Sequence, residues 1–393
     1  MRQNDVMKLG EPTPIRVMRI ISRMNIGGPA IQVSTLMRGL NPKTFDHRLY
    51  TGYCSPDEQD FLYSNAPDIK TYRVPGFGRS LSFVDDLRAF IILVREIHSF
   101  KPHIIHTHTA KAGVLGRLAA LFSLRSSIRV HTFHGHLLKG YFGPIITFLV
   151  IQIERILAVY SSYLLAVGET VRQDLLNVGI GRPDRFSVMP PGLGLDELPP
   201  RLESIQKLGL DANKIQCAFI GRVTKIKRPD RFLDIVEETQ KRGLPISYFI
   251  AGDGELLEDC RTRINLQKLP VTLLGWQNNI ELVLAATDIV ILTSDNEGMP
   301  ISLIQAGMAA IPVVATGVGS VNEVVINNVT GKVTSTNYVE ITNALEELVN
   351  DSNLRDELGS AAFDFTKRRF GSNRLVDDHE KLYKQLLASQ AKS

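Results

Sequence analysis

Cysteine is scarce in this sequence and follows no pattern. The three cysteines, Cys54, Cys217 and Cys260, lie far apart and form no Cys-x-x-Cys pair. This usage favours a reducing compartment, in which thiols stay free. We therefore expect a cytoplasmic protein.

Long apolar runs are also missing. The first 14 residues are polar, contain proline and lack the apolar core of a signal peptide, so we expect a loose tail there. The most apolar stretch, residues 142–167, carries Glu154 and Arg155 near its middle, whereas a membrane-spanning helix needs ~20 apolar residues. This stretch is predicted to form a helix followed by a strand, with core packing favoured over a position at a membrane surface.

Several catalytic signatures are absent as well. The sequence contains neither Gly-x-Ser-x-Gly nor the phosphate-binding Gly-x-x-x-x-Gly-Lys-Ser/Thr, which removes the hydrolase and P-loop interpretations. No predicted strand is followed by Asp-x-Asp, the usual acidic grip on a metal-bound diphosphate.

The length and the net charge of the chain restrict its number of domains and its kind of binding partner. A chain of 393 residues is too long for one hydrophobic core and suggests two domains. The net charge of +4 falls short of the dense Lys/Arg excess of a nucleic-acid-binding protein, and we expect no nucleic-acid partner. The mild excess of positive charge fits binding to an anionic small ligand or to an anionic membrane surface. Alternatively, the excess has no functional meaning.

Short β-branched runs alternate with helical periodicities and predict eleven strands. The strands are expected at 15–21, 47–52, 104–107, 129–133, 164–167, 186–189, 215–221, 247–251, 271–274, 289–293 and 313–315. Their apolarity and βαβα order predict an α/β protein of doubly wound, Rossmann-like domains, which bind ligands at the carboxyl ends of their strands. A Gly- and Pro-containing break near 196–201 divides the chain into domains over 1–197 and 198–371.

One strand-end motif occupies residues 289–307, which read IVILTSDNEGMPISLIQAG. Pro300 suits the start of the helix that follows the strand. The free backbone N–H groups and the positive end of that helix would hold a diphosphate. Glu297, in the preceding loop, is either an acid that caps the helix or a group that contacts a ligand.

A second motif, GRVTKIKRP, begins at Gly221 where another strand ends. Arg222 and Lys227 lie in the loop before the next helix, with Lys225 and Arg228 as rival candidates. Cations at this position would neutralise a departing diphosphate without a metal. The alternative is a solvated basic loop.

Three glycine-containing turns also follow strands. They are NIGGPA at 25–30, AGDGEL at 251–256 and LGW at 274–276. Gly27 and Gly28 let a backbone approach a ligand closely, although a tight turn without a ligand is the alternative. Gly252 and Gly254, like LGW, would present backbone groups to a nucleobase.

Six of the nine histidines fall between His103 and His136. His106 and His108 alternate onto one face of a strand. The His-x-His spacing can ligate zinc, but no Cys or carboxylate stands at ligand spacing, so we predict no metal site. The strand-end positions favour a polar pocket, with most of the six expected to be structural.

Together these stretches resemble retaining glycosyltransferase family 4, the group 1 glycosyltransferases. Members have the GT-B fold, in which two Rossmann-like domains face each other across a cleft. The likeness runs from about residue 15 to 387, through NIGGPA, HTHTAKAG, HTFHGH, GRVTKIK, AGDGEL and LGW. Its most specific part is EGMPISLIQAGMAAIPVVAT, which begins at Glu297.

The resemblance implies a role for each strand-end motif. Arg222 and Lys227 would bind the donor diphosphate beside Gly221, and Glu297 would contact the donor sugar. The backbone around Gly298 and Met299 would help to hold the donor.

In the first domain, the resemblance implies that Gly27 and Gly28 lie near the diphosphate or the acceptor. His134 would be the pocket histidine, with His136 as its rival. Gln305 stands where relatives usually carry a Glu that binds the nucleotide ribose. An amide still hydrogen-bonds a ribose diol but loses the charge-assisted bond.

The resemblance further implies transfer of a hexosyl or N-acetylhexosaminyl group, with retention, from a UDP-linked sugar to a glycan or lipid-linked acceptor. The nucleotide sugar would be a co-substrate, and no cofactor is expected. A helix over 372–393 would return to the first domain, and we expect peripheral association with the inner face of the cell membrane. The alternatives are a nucleotide-sugar epimerase and a non-catalytic homologue that binds a nucleotide sugar or a partner enzyme.

Overall fold

The computed structural model describes residues 13–56, 58–78, 80, 82–135 and 143–391. Within them, two parallel sheets with helices packed on them form the α/β architecture that the sequence predicts. The first sheet contains strands β1 Ile15–Ile21, β2 Phe45–Thr51, β3 Thr71–Arg73, β4 Ile104–His108, β5 Ile128–Phe133, β6 Tyr163–Ala166 and β7 Phe186–Val188. Its helices are α1 Gly28–Gly39, α2 Phe61–Ser64, α3 Phe83–Phe100, α4 Ala110–Phe122, α5 Pro144–Val159 and α6 Glu169–Asn177.

The second sheet lies in the C-terminal half of the chain. Its strands are β8 Ile215–Ile220, β9 Ile246–Ala251, β10 Val271–Gly275, β11 Ile289–Leu292, β12 Val313–Thr316 and β13 Lys332–Thr334. The helices of this half are α7 Arg201–Lys207, α8 Pro229–Lys241, α9 Leu257–Gln267, α10 Ile280–Ala285, α11 Ile301–Met308, α12 Tyr338–Asn350, α13 Ser352–Phe370 and α14 Ser372–Gln390.

Both sheets follow the same winding pattern. The strand orders are β3-β2-β1-β4-β5-β6-β7 and β10-β9-β8-β11-β12-β13. The order reverses between β1 and β4 in the first sheet and between β8 and β11 in the second. At such a switch point the outgoing loops diverge and leave a crevice beyond the carboxyl ends of the strands. In the first sheet Ile21 pairs with His108, so β1 and β4 end level with each other at this crevice.

All eleven predicted strands are present, and the structure adds two. The additional strands, β3 and β13, have three residues each and lie at the edges of their sheets. Neither contains the apolar run that marks a strand in the sequence. Their backbone pairing with β2 and β12 therefore defines them.

The last helix, α14, contributes to the core of the first domain although it follows the second domain in the chain. It packs on α1. Its Leu375, Leu382 and Tyr383 are buried in a cluster with Val17 of β1 and Leu36 of α1.

Helix α5 turns its apolar side away from the core. Ile145, Ile156 and Val159 are 76%, 60% and 78% exposed. Glu154 is buried instead, where both of its oxygens accept hydrogen bonds from Arg117 at 2.6 and 2.8 Å. The expectation that this stretch packs in the core is therefore wrong for most of the helix, because the charge that interrupts the apolar run is the group that points inward. In the part of the chain that the structure describes, no helix has the length and apolarity required to cross a bilayer.

Candidate functional site between the two sheets

The carboxyl ends of both sheets border a cavity of about 480 Å³, a size typical of small-molecule sites. The lining residues fall within segments 23–31, 61–65, 134–135, 220–227, 276–280 and 296–305, together with Ala251. The cavity thus unites residues from six predicted motifs: NIGGPA, HTFHGH, GRVTKIKRP, AGDGEL, LGW and the motif at 289–307. Ten of the twelve predicted site residues line it: His134, Glu297, Arg222, Lys227, Gly27, Gly28, Gly221, Gly298, Met299 and Gln305.

Glu297 is held by side chains rather than by the end of the following helix. Its Oε1 accepts hydrogen bonds from Lys227 Nζ and Ser294 Oγ, both at 2.5 Å. Its Oε2 accepts no hydrogen bond from any described residue, and the carboxylate lines the cavity at 7% exposure. This arrangement leaves one oxygen of a fixed carboxylate available to a ligand.

The loop that carries Glu297 depends on one glycine of the neighbouring segment. Gly319 has a φ of +54°, and a Cβ at this position would lie 1.9 Å from the carbonyl oxygen of Glu297. The same carbonyl accepts a hydrogen bond from the amide of Ser320 at 3.2 Å. A side chain at Gly319 would therefore displace the carboxylate loop.

The basic loop after β8 divides its cations between two sites. Arg222 is exposed, lines the cavity and has no ion-pair partner among the described residues. Lys227 also lines the cavity, where it pairs with Glu297. Lys225 and Arg228 line a different pocket, and Arg228 is neutralised by Asp230 and Asp295 at 2.7 and 3.1 Å. The geometry thus separates the two predicted residues from their rivals.

Gly252 and Gly254 lie behind the cavity wall and do not line it. A Cβ at Gly252 would lie 1.8 Å from the carbonyl oxygen of Gly221, and one at Gly254 would lie 2.5 Å from that of Val223. The two glycines therefore permit the turn after β9 to pack against the turn after β8. Their direct contact with a nucleobase stays a prediction.

The two domains touch through backbone at the cavity. A Cβ at Gly298 would lie 2.7 Å from the Cα of Gly135 and 2.9 Å from the carbonyl oxygen of His134. Gly28, at the start of α1, faces Ile301 at the start of α11, with 3.1 Å between a Cβ placed on Gly28 and Ile301 Cγ1. Two helix starts, one from each domain, therefore face each other across the cavity.

His134 follows β5 and lines the cavity, while its Nε2 lies 3.0 Å from Nδ1 of His108. Burial lowers the pKa of His134 to about 3, so its ring is neutral. His106, His108 and His131 are completely or almost completely buried, in agreement with a structural role. The rival His136 lies outside the described residues.

Sequence reasoning missed several polar residues of the cavity. Asn25, Asn65 and Asn296 line it, as does Arg23, whose Nε donates to Glu58 at 2.7 Å. Asn25 lies within the motif NIGGPA, which could have indicated it. Asn65 follows α2, a four-residue helix that is too short to show a periodicity in the sequence.

The side of the cavity next to β10 carries the single tryptophan. Trp276 donates its Nε1 proton to Asn278 at 2.9 Å, and both residues line the cavity with Ile280. The amide of Gln305 lines the same cavity and has no partner among the described residues. No cluster of three or more His, Cys, Asp or Glu suited to a metal ion occurs in the described ranges.

Family models match both halves of the chain. The model described as "Glycosyl transferases group 1" matches residues 200–365, and the "Glycosyl transferase 4-like domain" matches residues 27–192. The chain belongs to the group 1 glycosyltransferases. It is therefore a glycosyltransferase with the GT-B fold, as the sequence motifs predict.

Two curated relatives of this glycosyltransferase span most of its length. The Escherichia coli UDP-Gal:alpha-D-GlcNAc-diphosphoundecaprenol alpha-1,3-galactosyltransferase is 29% identical over 294 residues, which is 72% of this chain and 76% of the relative. The capsular polysaccharide biosynthesis glycosyltransferase CapM of Staphylococcus aureus is 22% identical, over 79% of this chain and 83% of CapM.

Solved structures share the two-domain fold. Anabaena HepE in complex with UDP and glucose superimposes with a TM-score of 0.79 at 18% identity, over 94% of this chain and all of HepE. Sucrose-phosphate synthase from Thermosynechococcus elongatus gives a TM-score of 0.81 at 17% identity, over 95% of this chain and all of that enzyme.

Proposed function

We propose that this glycosyltransferase moves a hexosyl or N-acetylhexosaminyl group from a UDP-linked sugar to a glycan or lipid-linked acceptor, with retention and without a metal. The observation that carries the proposal is the joint position of Arg222, Lys227 and Glu297 beside the start of α11 in one interdomain cavity. Two cations and a helix start suit a diphosphate, and a carboxylate beside them suits sugar hydroxyls.

The reaction needs no protein nucleophile. The bond between the anomeric carbon and the diphosphate oxygen breaks, and the acceptor oxygen attacks from the face that the diphosphate leaves. The acceptor proton passes to the departing diphosphate. Arg222, Lys227 and the amides at the start of α11 stabilise the charge that develops on it, and stabilisation of developing charge usually contributes most to catalysis of this kind.

The lining of the cavity favours transfer over epimerisation. An epimerase of similar fold requires carboxylates for acid–base chemistry on the sugar. Glu297 is the only carboxylate among the described residues that line the cavity, and its Oε1 is occupied by Lys227 and Ser294. Incubation with the donor alone should therefore yield no epimer.

The central experiment compares two lysines of one loop. We expect Lys227→Ala and Glu297→Ala each to lower transfer by about 100-fold or more, because each removes a group that stabilises the transition state. Lys225→Ala is the matched control, since Lys225 lies outside the cavity and should leave transfer within about twofold. Equal effects of the two lysine substitutions would refute the assignment.

Donor and stereochemistry need separate measurements. Thermal-shift screening of UDP, GDP and ADP sugars should give the largest shift with a UDP sugar, and proton NMR of the product should show the donor's anomeric configuration. Transfer should survive EDTA. Binding of a UDP sugar without turnover in both the native chain and Gln305→Glu would support the non-catalytic alternative.

The lipid-linked acceptor class and membrane association are supported by an exposed apolar face of the first domain. Helices α3, α4 and α5 lie side by side on one side of the first sheet. The exposed residues that define this apolar face are Phe83 and Val84 of α3, Phe122 of α4, Leu124 just after it, and Ile145 and Ile156 of α5. Exposed faces of this kind mark interaction sites. Both α3 and α5 begin at the sheet edge on which the cavity opens, so Phe83, Val84 and Ile145 are the residues of this face that lie nearest to that edge.

Cations border the apolar face. Arg88 and Arg95 on α3 and Arg125 after α4 have no ion-pair partner among the described residues, although Asp85 is exposed in the first turn of α3. Apolar insertion with flanking cations suits an anionic bilayer. The E. coli relative named above acts on a diphosphoundecaprenol-linked sugar, which agrees with a bilayer as the occupant.

Vesicle flotation tests this surface. The protein should float with vesicles of phosphatidylcholine and phosphatidylglycerol at low salt and less with phosphatidylcholine alone. Replacing Ile145 and Ile156 together with Ser should weaken binding by about 10-fold or more, since each inserted side chain contributes about 1 kcal/mol. Leu266→Ser is the matched control, because Leu266 is 79% exposed on the second domain. Unchanged flotation of the double variant, or a change in its oligomeric state instead, would overturn the assignment.

A further inference from the structure

A buried arginine without an acidic partner lies behind the pocket histidine. Arg19 of β1 has no solvent exposure, and no described carboxylate pairs with it. Its Nη1 lies 3.1 Å from His108 Nε2, its Nη2 donates to the Tyr383 hydroxyl at 3.2 Å, and its Nε has no partner among the described residues. Because buried charges are normally paired, such a cation requires an explanation.

The hydrogen-bonding protons of Arg19, His108 and His134 can be assigned one by one. A guanidinium only donates, so Nε2 of His108 must accept from Arg19. Burial, then the neighbouring His106 and His134, hold the pKa of His108 well below its usual value, so the ring is neutral and its single proton is on Nδ1. That Nδ1 lies 3.0 Å from Nε2 of His134, to which it donates.

The remaining proton of His134 is then on the other ring nitrogen. Nε2 of His134 accepts from His108, and His134 is neutral, so Nδ1 carries the hydrogen. This Nδ1 has no partner among the described residues, while His134 lines the cavity.

We propose that Arg19 and His108 are positioning residues that hold His134 as its Nδ1–H tautomer, so that its ring offers the donor substrate a hydrogen-bond donor and not a base. The ligand atom that it meets must be an acceptor, such as a sugar hydroxyl or phosphate oxygen. The charge of Arg19 strengthens this donor through two hydrogen bonds. The effect on turnover rests on the proposed function, whereas the tautomer itself does not.

Arg19 also begins a second chain of hydrogen bonds, which runs through Tyr383 and His106 and supplies a control. Arg19 donates to the Tyr383 oxygen, so the hydroxyl proton of Tyr383 goes to His106 Nδ1 at 2.6 Å. Nε2 of His106 then donates to Thr132 Oγ1 at 2.7 Å. This second chain of hydrogen bonds does not include His134, so Tyr383→Phe should leave the tautomer and kcat of the enzyme unchanged.

The direct test is nitrogen NMR of ¹⁵N-histidine-labelled full-length protein. His134→Gln identifies the signals of His134 among the nine histidines. The native protein should give a protonated Nδ1 and an unprotonated Nε2 for His134 between pH 6 and 8. A protonated Nε2, or averaging of the two tautomers, would overturn the proposal whether or not any transfer activity is found.

Substitutions at His108 separate its hydrogen-bond donation to His134 from its contribution to packing. The amide nitrogen of His108→Asn can occupy the position of Nδ1 and still donate to His134, whereas His108→Leu, of similar size, cannot. We expect Asn to preserve the Nδ1–H tautomer and Leu to mix the tautomers and lower kcat by about 10-fold or more, with the donor KM less affected. Equal kcat and tautomer in the two variants would refute the relay.

Arg19→Met covers the case in which His108→Leu does not fold. It removes an unpaired buried charge, so the unfolding temperature should not fall, while kcat falls and the His134 tautomers mix. A merely structural Arg19 would instead lower the unfolding temperature and leave the tautomer as it is.

Discussion

Mild acid should destabilise the first domain much more than the second. Four histidines, His106, His108, His131 and His379, are 0–1% exposed. Burial is the main cause that lowers their pKa values, to about 3 for His379 and well below 6.5 for the other three. All four belong to the first sheet or to α14, and no histidine occurs between residues 198 and 371.

The sign and size of the effect follow from proton linkage. Below pH 6.5 the unfolded chain protonates these histidines and the folded chain does not, so the free energy of unfolding falls as the pH falls. Between pH 7.5 and 5.5 each group contributes a loss of about 1.4 kcal/mol, or about 5.5 kcal/mol for the four together. His134 and His47, whose pKa values are lowered to about 3 and about 4, each add a similar loss. That loss is comparable with the whole stability of many domains, about 5–15 kcal/mol.

Urea unfolding at a series of pH values measures this loss. Far-UV circular dichroism follows the whole chain, and the fluorescence of Trp276, the only tryptophan, follows the second domain. The slope of the free energy against pH should approach six protons taken up on unfolding at the low end of the range, because burial also lowers the pKa values of His134, to about 3, and His47, to about 4. His379→Leu should remove about one proton from the slope. A total loss below about 1.4 kcal/mol would refute the reasoning, because it corresponds to a single histidine over this range.

Two glycine substitutions test the close approaches around the cavity. Gly298→Ala places a methyl group 2.7 Å from the Cα of Gly135, so we expect a loss of about 10-fold or more in kcat/KM, measured by initial rates, from a small misplacement across the cleft. Preserved kcat/KM would show that the domains need not approach this closely during turnover. Gly252→Ala places its methyl 1.8 Å from the carbonyl oxygen of Gly221, so it should lower the free energy of unfolding by about 2 kcal/mol or more in urea titrations. Unchanged stability would mean that the turn can shift to accept the methyl group.

The fold could be predicted largely because its central strands are continuous apolar runs. The two strands that escaped prediction, β3 and β13, are short and lie at sheet edges, where pairing with a neighbour replaces apolar burial. Helix α5 shows a different limit. Its apolar residues predict a face that packs against another apolar surface. The periodicity does not tell whether that surface belongs to the protein's own core. In the structure, the side of the helix that is buried is the one with Glu154.

The candidate site was accessible to sequence reasoning where its residues follow strands directly. Parallel strands bring their carboxyl ends to one edge, so Arg222 and Glu297, 75 positions apart in the chain, could be expected together. The relay behind His134 could not, because Arg19 and His108 come from β1 and β4, 89 positions apart in the chain, and no local pattern connects them. Its chemistry depends on which nitrogen faces which donor, and that is defined only by packing.

Arg222 and Arg19, two cations without an ion-pair partner among the described residues, differ in the way that a substrate can affect them. Arg222 is exposed, so water solvates it until an anion arrives, and pairing with a diphosphate then exchanges hydration for a charge-assisted bond. Arg19 is buried behind two rings and cannot meet the anion, so its field is present before binding and does not relax during the reaction. Stabilisation by fixed groups that need no reorganisation is the more effective kind in catalysis. Loss of Arg222 should therefore weaken donor binding more than it slows the chemical step, whereas loss of Arg19 should slow the chemical step with less effect on binding.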